Sequence, residues 1–209
     1  PSDDFYTTAD SNNIFSGDPQ LASGRIPVSN ENDALTVVEK IKQYTLNPTP
    51  GIWRSKIALV ADDMYRSCSF DNGESSHTEI SDKIYDDLHK LLPILPFYGV
   101  HYGLQQTSSG CAYPELTHDL IQTINNGTAL INYIGHGTSE FLADENILTY
   151  SDIDRIAISE SEDGIGNPLP IWVVGTCAFG NYTNQNCLAE KILVKGNAGI
   201  AVISSTGGV

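Results

Sequence analysis

Ala129-Leu130-Ile131-Asn132-Tyr133-Ile134-Gly135-His136-Gly137 is a short apolar run that stops abruptly at a histidine between two glycines. Forty residues on the pattern returns. Leu169-Pro170-Ile171-Trp172-Val173-Val174-Gly175-Thr176 is another apolar run, and it delivers Cys177. Runs of this length, apolar at nearly every position, read as strands buried on both faces, the mark of a parallel sheet. A third run, Lys56-Ile57-Ala58-Leu59-Val60-Ala61, ends at Asp62-Asp63, and Gly199 to Ser204 makes a fourth.

Helical periodicity fills the intervals. Asn30 reads as the N-cap of a helix carrying Ala34, Val37, Val38 and Ile41 on one face, ending near Tyr44 before Asn47-Pro48-Thr49-Pro50-Gly51. A second helix places Ile80, Ile84, Leu88 and Leu91 on its inner side. A third runs from about Glu115 to Asn125, with Leu116, Leu120, Ile121 and Ile124 inward and Gly127 as its stop. A fourth spans Leu188 to Val194. Strands alternating with helices predict an α/β fold, a largely parallel sheet covered on both faces. Trp53 and Trp172 read as core.

In such a sheet, ligands bind beyond the carboxyl ends of the strands, where His136 and Cys177 both fall. A cysteine facing a histidine is the arrangement for thiolate catalysis. The imidazole favours the thiolate and later protonates the leaving amine. Glycines beside His136 let a substrate backbone approach, and the N–H groups of Gly137 and Cys177 are candidate oxyanion-hole donors.

Composition narrows the function. The chain has 209 residues, 40% of them hydrophobic, enough for one sizeable core. Its formal charge of −15 argues against nucleic acid, whose phosphates call for clustered Lys and Arg. Acidity reads first as a solvated surface. Its sharper reading is structural calcium in loops such as Ser2-Asp3-Asp4 and Asp71-Asn72-Gly73-Glu74, though neither has EF-hand spacing. The chemistry itself calls for no cofactor. None of Cys68, Cys111, Cys177 and Cys187 lies in a C-x-x-C pair, which disfavours a zinc ribbon, and a Cys68–Cys111 bridge is one open option. No apolar run approaches the roughly 20 residues of a membrane-spanning helix. The last residues, Gly207-Gly208-Val209, directly follow a strand-like run, so the domain is expected to continue beyond the C-terminus.

Tyr133-Ile134-Gly135-His136-Gly137 and Val174-Gly175-Thr176-Cys177-Ala178-Phe179-Gly180 resemble the histidine and cysteine blocks of the gingipain-type cysteine peptidases. That family, of the caspase-like clan, includes the sortase-like peptidase of type IX secretion. Ser2-Asp3-Asp4-Phe5-Tyr6, Gly24-Arg25-Ile26-Pro27-Val28, Val60-Ala61-Asp62-Asp63 and Cys187-Leu188-Ala189-Glu190 are similar to further family blocks, in the same order. The resemblance spans residues 1–209 and implies a caspase-like α/β/α sandwich with a mostly parallel sheet. It implies Cys177 as nucleophile, His136 as general base, and an upstream acid that orients the histidine, Asp63 first and Asp62 next. It also implies a protein or peptide substrate, a bacterial source, a secreted or surface location, and a partner in a secretion system. Arginine-specific members carry an Asp after a Gly-Glu-Ser stretch, whereas Gly73-Glu74-Ser75 here continues into Ser76-His77. Trypsin-like specificity is therefore not expected. A non-catalytic binding module of the same fold is the rival reading, and a receiver-like regulatory domain would leave the His and Cys blocks unexplained.

Overall fold

The computed structural model describes residues 7, 20–66, 68–71, 75–108, 110–158 and 168–208. Among them α1 spans Glu31–Leu46 and β1 spans Ile57–Ala61. A small hairpin follows, β2 (Tyr65–Arg66) and β3 (Ser69–Phe70), then α2 (Ser76–Leu88) and β4 (Ile94–Tyr98). A second hairpin, β5 (Gln105–Thr107) and β6 (Gly110–Ala112), leads into α3 (Pro114–Asn125) and β7 (Leu130–Ile134). A third, β8 (Phe141–Leu142) and β9 (Leu148–Thr149), precedes β10 (Ile171–Gly175), α4 (Leu188–Val194) and β11 (Ala201–Ser204).

Five strands form one parallel sheet in the order β11-β10-β7-β1-β4. The chain winds outward from β1 to β4, then returns across the sheet to β7 and continues through β10 to β11. Loops diverge where that winding reverses, so the crevice between the ends of β1 and β7 is where this topology binds ligands.

Alternation along β1 shows why the sheet is buried on both sides. Leu59 and Ala61 face α2 together with Tyr98, Ile84 and Tyr85. Ala58 and Val60 face the larger core, built from Leu116, Leu120 and Ile124 of α3, Ile131, Tyr133, Trp172, and Ile192 of α4. The result is the expected three-layer α/β/α sandwich. Trp53 and Trp172 are core residues, as the sequence implies.

Two helices differ from their expected faces. Asn30 does cap α1, accepting from the Asp33 N–H at 2.9 Å. Its buried side, however, is Val37 and Lys40, while Val38 and Ile41 are exposed. Lys40 turns inward because its ammonium donates to the carbonyls of Leu193 and Lys195, which end α4. That contact supplies a cation to carbonyls left unsatisfied at a helix C-terminus. In α2 the helix stops at Leu88, so Leu91 lies beyond it and exposed, and Ile80 is exposed as well. The third helix buries Leu116, Leu120, Ile121 and Ile124 as read, and Gly127 adopts φ +86° after its end. Among the described residues, no helix is long and apolar enough to cross a membrane.

Candidate active site

The pairing of β7 with β10 matches Ile134 to Gly175. His136 lies two residues beyond Ile134 and Cys177 two beyond Gly175, so both leave the sheet at the same level on adjacent strands. The Gly135 N–H donates to the Gly175 carbonyl at 3.3 Å and holds the two exits together. A Cβ on Gly137 would lie 3.0 Å from the Thr176 hydroxyl and 3.0 Å from the Phe141 carbonyl. Glycine there lets the histidine turn press against the segment that delivers the cysteine.

His136 is held by its backbone at both ends. Its N–H donates to Asp62 Oδ2 at 2.8 Å. Its carbonyl accepts from the Tyr133 hydroxyl at 2.5 Å and from the Ala143 N–H at 2.9 Å. Asp62 directly follows β1, whose Ala61 pairs with Ile134, so the carboxylate reaches across the crevice between β1 and β7. The ring of His77, in the first turn of α2, stands edge-on to the His136 ring, with centroids 5.0 Å apart and planes at 87°.

Cys177 is half-buried and takes no part in a disulfide. The next residue, Ala178, adopts φ +54°, a left-handed conformation that costs a non-glycine residue about 1 kcal/mol or more. Two backbone bonds hold this turn: Ala178 N–H to the Gly207 carbonyl at 2.7 Å and Gly180 N–H to the Ser205 carbonyl at 2.8 Å. Cys187, the other cysteine outside the disulfide, is buried, with its thiol on the Phe179 carbonyl, and burial pushes that thiol's pKa up. Its surroundings are those of an inert core thiol.

Asp63, the first-choice acid from the sequence, accepts from the Tyr65 N–H at 2.7 Å and from the Tyr113 hydroxyl. The described contact to His136 comes from its neighbour Asp62, and it goes to the backbone N–H rather than the imidazole. Both carboxyls are buried, each about 1% exposed, and so is Glu145, from the turn between β8 and β9. Burial, reinforced by the like charge of Asp63, raises the Asp62 pKa to about 6 despite the two N–H groups it accepts from. Burial and then the charges of Asp63 and Asp62 raise Glu145 to about 7.

A disulfide joins Cys68, in the β2–β3 hairpin, to Cys111 of β6, with their Cα atoms 5.4 Å apart. It ties the segment after Asp63 to the segment carrying Tyr113. Of the acidic loops singled out in the sequence, Ser2-Asp3-Asp4 and residues 72–74 lie outside the described residues, as does most of the Gly-Glu-Ser stretch.

Sequence reasoning missed His77, Tyr133, Tyr113 and Glu145. His77 directly follows Ser75-Ser76 in a block already compared with the family, and that adjacency was its available signal. Glu145 sits in an irregular turn, with no periodicity to mark it.

A half-buried thiol and a pinned histidine thus leave neighbouring parallel strands of an α/β/α sandwich. The sequence profile of peptidase family C25 matches residues 1–209, and the chain belongs to that family. The fold is similar to the Arg-specific cysteine proteinase gingipain R, RgpB, at TM-score 0.71 and 18% identity, covering 99% of this chain and 44% of that one. It is also similar to the Porphyromonas gingivalis RgpB pro- and mature-domain complex, at TM-score 0.63 and 17% identity, covering 87% of this chain and 40% of that one. A further structure, described simply as a protease, matches at TM-score 0.65 and 19% identity over 99% of this chain and 40% of its own. The chain thus spans less than half the length of the solved chains it resembles. No curated protein matches its sequence.

Proposed function

We propose that the protein is a cysteine endopeptidase in which Cys177 is the nucleophile and His136 the general base. The observation that carries this reading is the common exit of the two residues from paired strands β7 and β10. The thiol proton passes to the imidazole, and the thiolate sulfur attacks the scissile carbonyl carbon, forming a C–S bond. Negative charge collects on the carbonyl oxygen, where the N–H groups of Gly137 and Cys177 act as the oxyanion hole. The imidazolium returns its proton to the amine nitrogen as the C–N bond breaks. Water, deprotonated by His136, then hydrolyses the thioester and frees the thiol. Asp62 positions His136 through its main chain. Asp63 supports that arrangement one step back, through Tyr65 and Tyr113.

The Cys68–Cys111 bridge suits an oxidising compartment, which supports a secreted or cell-surface enzyme of a bacterium. Processing of secreted proteins, as in type IX secretion, is one setting that fits. RgpB is described as Arg-specific. Here Gly73-Glu74-Ser75-Ser76 lacks the acid expected to pair with a basic side chain, so no strong preference for Arg or Lys is proposed. A peptide-library profile reads this directly.

The central test is labelling of the protein with iodoacetamide at neutral pH, followed by mapping of the modified cysteine. Rapid modification of Cys177 ahead of Cys187, blocked by an acyloxymethylketone peptide, is the expected result. Equal, slow labelling of both thiols would leave a non-catalytic binding module as the better reading.

A further inference from the structure

Three carboxyl groups converge behind the histidine turn. One oxygen from each of Asp62, Asp63 and Glu145 lies within 4.8 Å of the others, and all three residues are buried. Oxygen ligands of one calcium ion lie no farther apart than about this, since two Ca–O bonds of about 2.3–2.6 Å end to end span about 5 Å. The two aspartates come from the end of β1, and Glu145 from the β8–β9 turn, 82 residues further along. The meeting is thus a product of the fold, and no run of acids in the sequence creates it.

The second observation concerns Glu145 itself. Its Oε1 takes a long hydrogen bond from the Cys68 N–H, at 3.5 Å, and its own backbone N–H also acts on the carboxylate, while its Oε2 is buried with no hydrogen-bond partner. A buried carboxylate oxygen without a donor is costly, and the charges acting most strongly on Glu145 are two further carboxylates of like sign. Backbone also packs closely against both aspartates. A Cβ on Gly135 would lie 2.4 Å from the Asp62 Cβ, and one on Gly99 would lie 2.8 Å from the Asp63 Cβ. Two glycines from different loops therefore admit the aspartates.

We propose that Asp62, Asp63 and Glu145 bind a divalent cation of the hard, oxygen-seeking class, calcium being the best match to a buried, all-carboxylate donor set. The cation neutralises the clustered charge and gives Glu145 Oε2 its missing partner. It also fixes the Asp62 carboxyl whose other lone pairs accept from His136 and Asp63 N–H groups. Its role is structural: it stiffens the floor of the histidine turn and takes no part in bond making. This site is distinct from the acidic loops that raised calcium in the sequence, and it stands whether or not the protein proves to be a peptidase.

The test is calcium binding by the chelator-treated protein, followed by isothermal calorimetry and thermal melting with calcium and, separately, magnesium. Expected is a calcium Kd of about 1 mM or tighter, the range of known calcium modules, with a rise in Tm. In Glu145→Gln, which keeps the shape and removes one charge, the number of calcium ions bound per chain should fall by one. The calcium-dependent rise in Tm should shrink with it. Wild-type protein that binds no calcium below 10-fold above that Kd overturns the proposal. So does a Glu145→Gln protein, folded by circular dichroism, that binds as many ions as wild type. If the variant fails to fold, wild-type calorimetry still decides: absence of binding and of any Tm shift refutes the site. Cysteine labelling is read separately, so loss of this site and loss of the peptidase reading are distinguishable.

Discussion

The Asp62 carboxylate accepts a hydrogen bond from the backbone N–H of His136 at 2.8 Å, joining the end of β1 to the turn after β7. That bond crosses the crevice at which the sheet reverses its winding. It fixes where the histidine backbone stands without touching the imidazole.

Replacing Asp62 with Ala should therefore slow turnover while leaving substrate binding largely intact. A misplacement on the order of 1 Å costs about 100-fold in rate, so a fall of about 10- to 100-fold in kcat is expected. Steady-state kinetics on a peptide substrate check this. Asp62→Asn, which keeps an acceptor oxygen for the N–H, should recover part of the loss. A change confined to KM would contradict a positioning role.

Cys177→Ala should abolish peptidase activity and leave the fold in place. Loss of one half-buried thiol should cost about 1 kcal/mol, the common scale for point mutants. Denaturant unfolding and a peptidase assay report the two effects separately. Turnover within about tenfold of wild type would remove Cys177 from the mechanism.

Gly135→Ala tests the packing of the histidine turn. The added methyl would lie 2.4 Å from the Asp62 Cβ and 2.5 Å from the Tyr133 hydroxyl. Neither neighbour is the free end of a flexible chain, so the turn must shift, at about 1–3 kcal/mol. Expected is a lower unfolding midpoint together with lost activity. An alanine variant as stable and active as wild type would show that the crowding is relieved without moving His136.

Protein stripped of divalent cations should lose stability as pH rises. The native pKa values of Asp62, about 6, and Glu145, about 7, stand above the ordinary 3.8 and 4.5. The native state then holds more protons than the unfolded chain between those values. The stability linked to these groups is present in full below about pH 4 and is lost as pH rises through 6 to 7. For two coupled carboxyls the change is on the order of a few kcal/mol. Urea midpoints at pH 5 and pH 8 measure it, and Glu145→Gln should flatten the difference.

The α/β architecture was legible because buried parallel strands are near-continuous apolar runs, and Leu130–Ile134 and Ile171–Gly175 are of that kind. The strand Ile94–Tyr98 went unread, since Pro93 and Pro96 interrupt its apolar pattern, and it survives as an edge strand where a missing N–H is tolerated. The faces of α1 were misread because Lys40 is drawn inward by carbonyls at the end of α4, a partner 153 residues away. His136 and Cys177 were visible through the glycines and small residues around them. The contacts of Asp62 and Asp63 were not, because adjacent residues point in different directions and only the fold decides which one meets the histidine turn.

The bond between Asp62 and His136 spans 74 residues of chain. Closing so long a loop is entropically expensive, and contacts of this separation form late in the folding of mixed α/β domains. A partly folded chain can already hold α3 against β7, since those elements are neighbours in sequence, while its histidine turn still lacks the latch from β1. Until β1 has paired with β7, the histidine turn lacks this hydrogen bond to Asp62. A chain whose β1 has not yet docked therefore holds its histidine turn out of register, whatever else has folded.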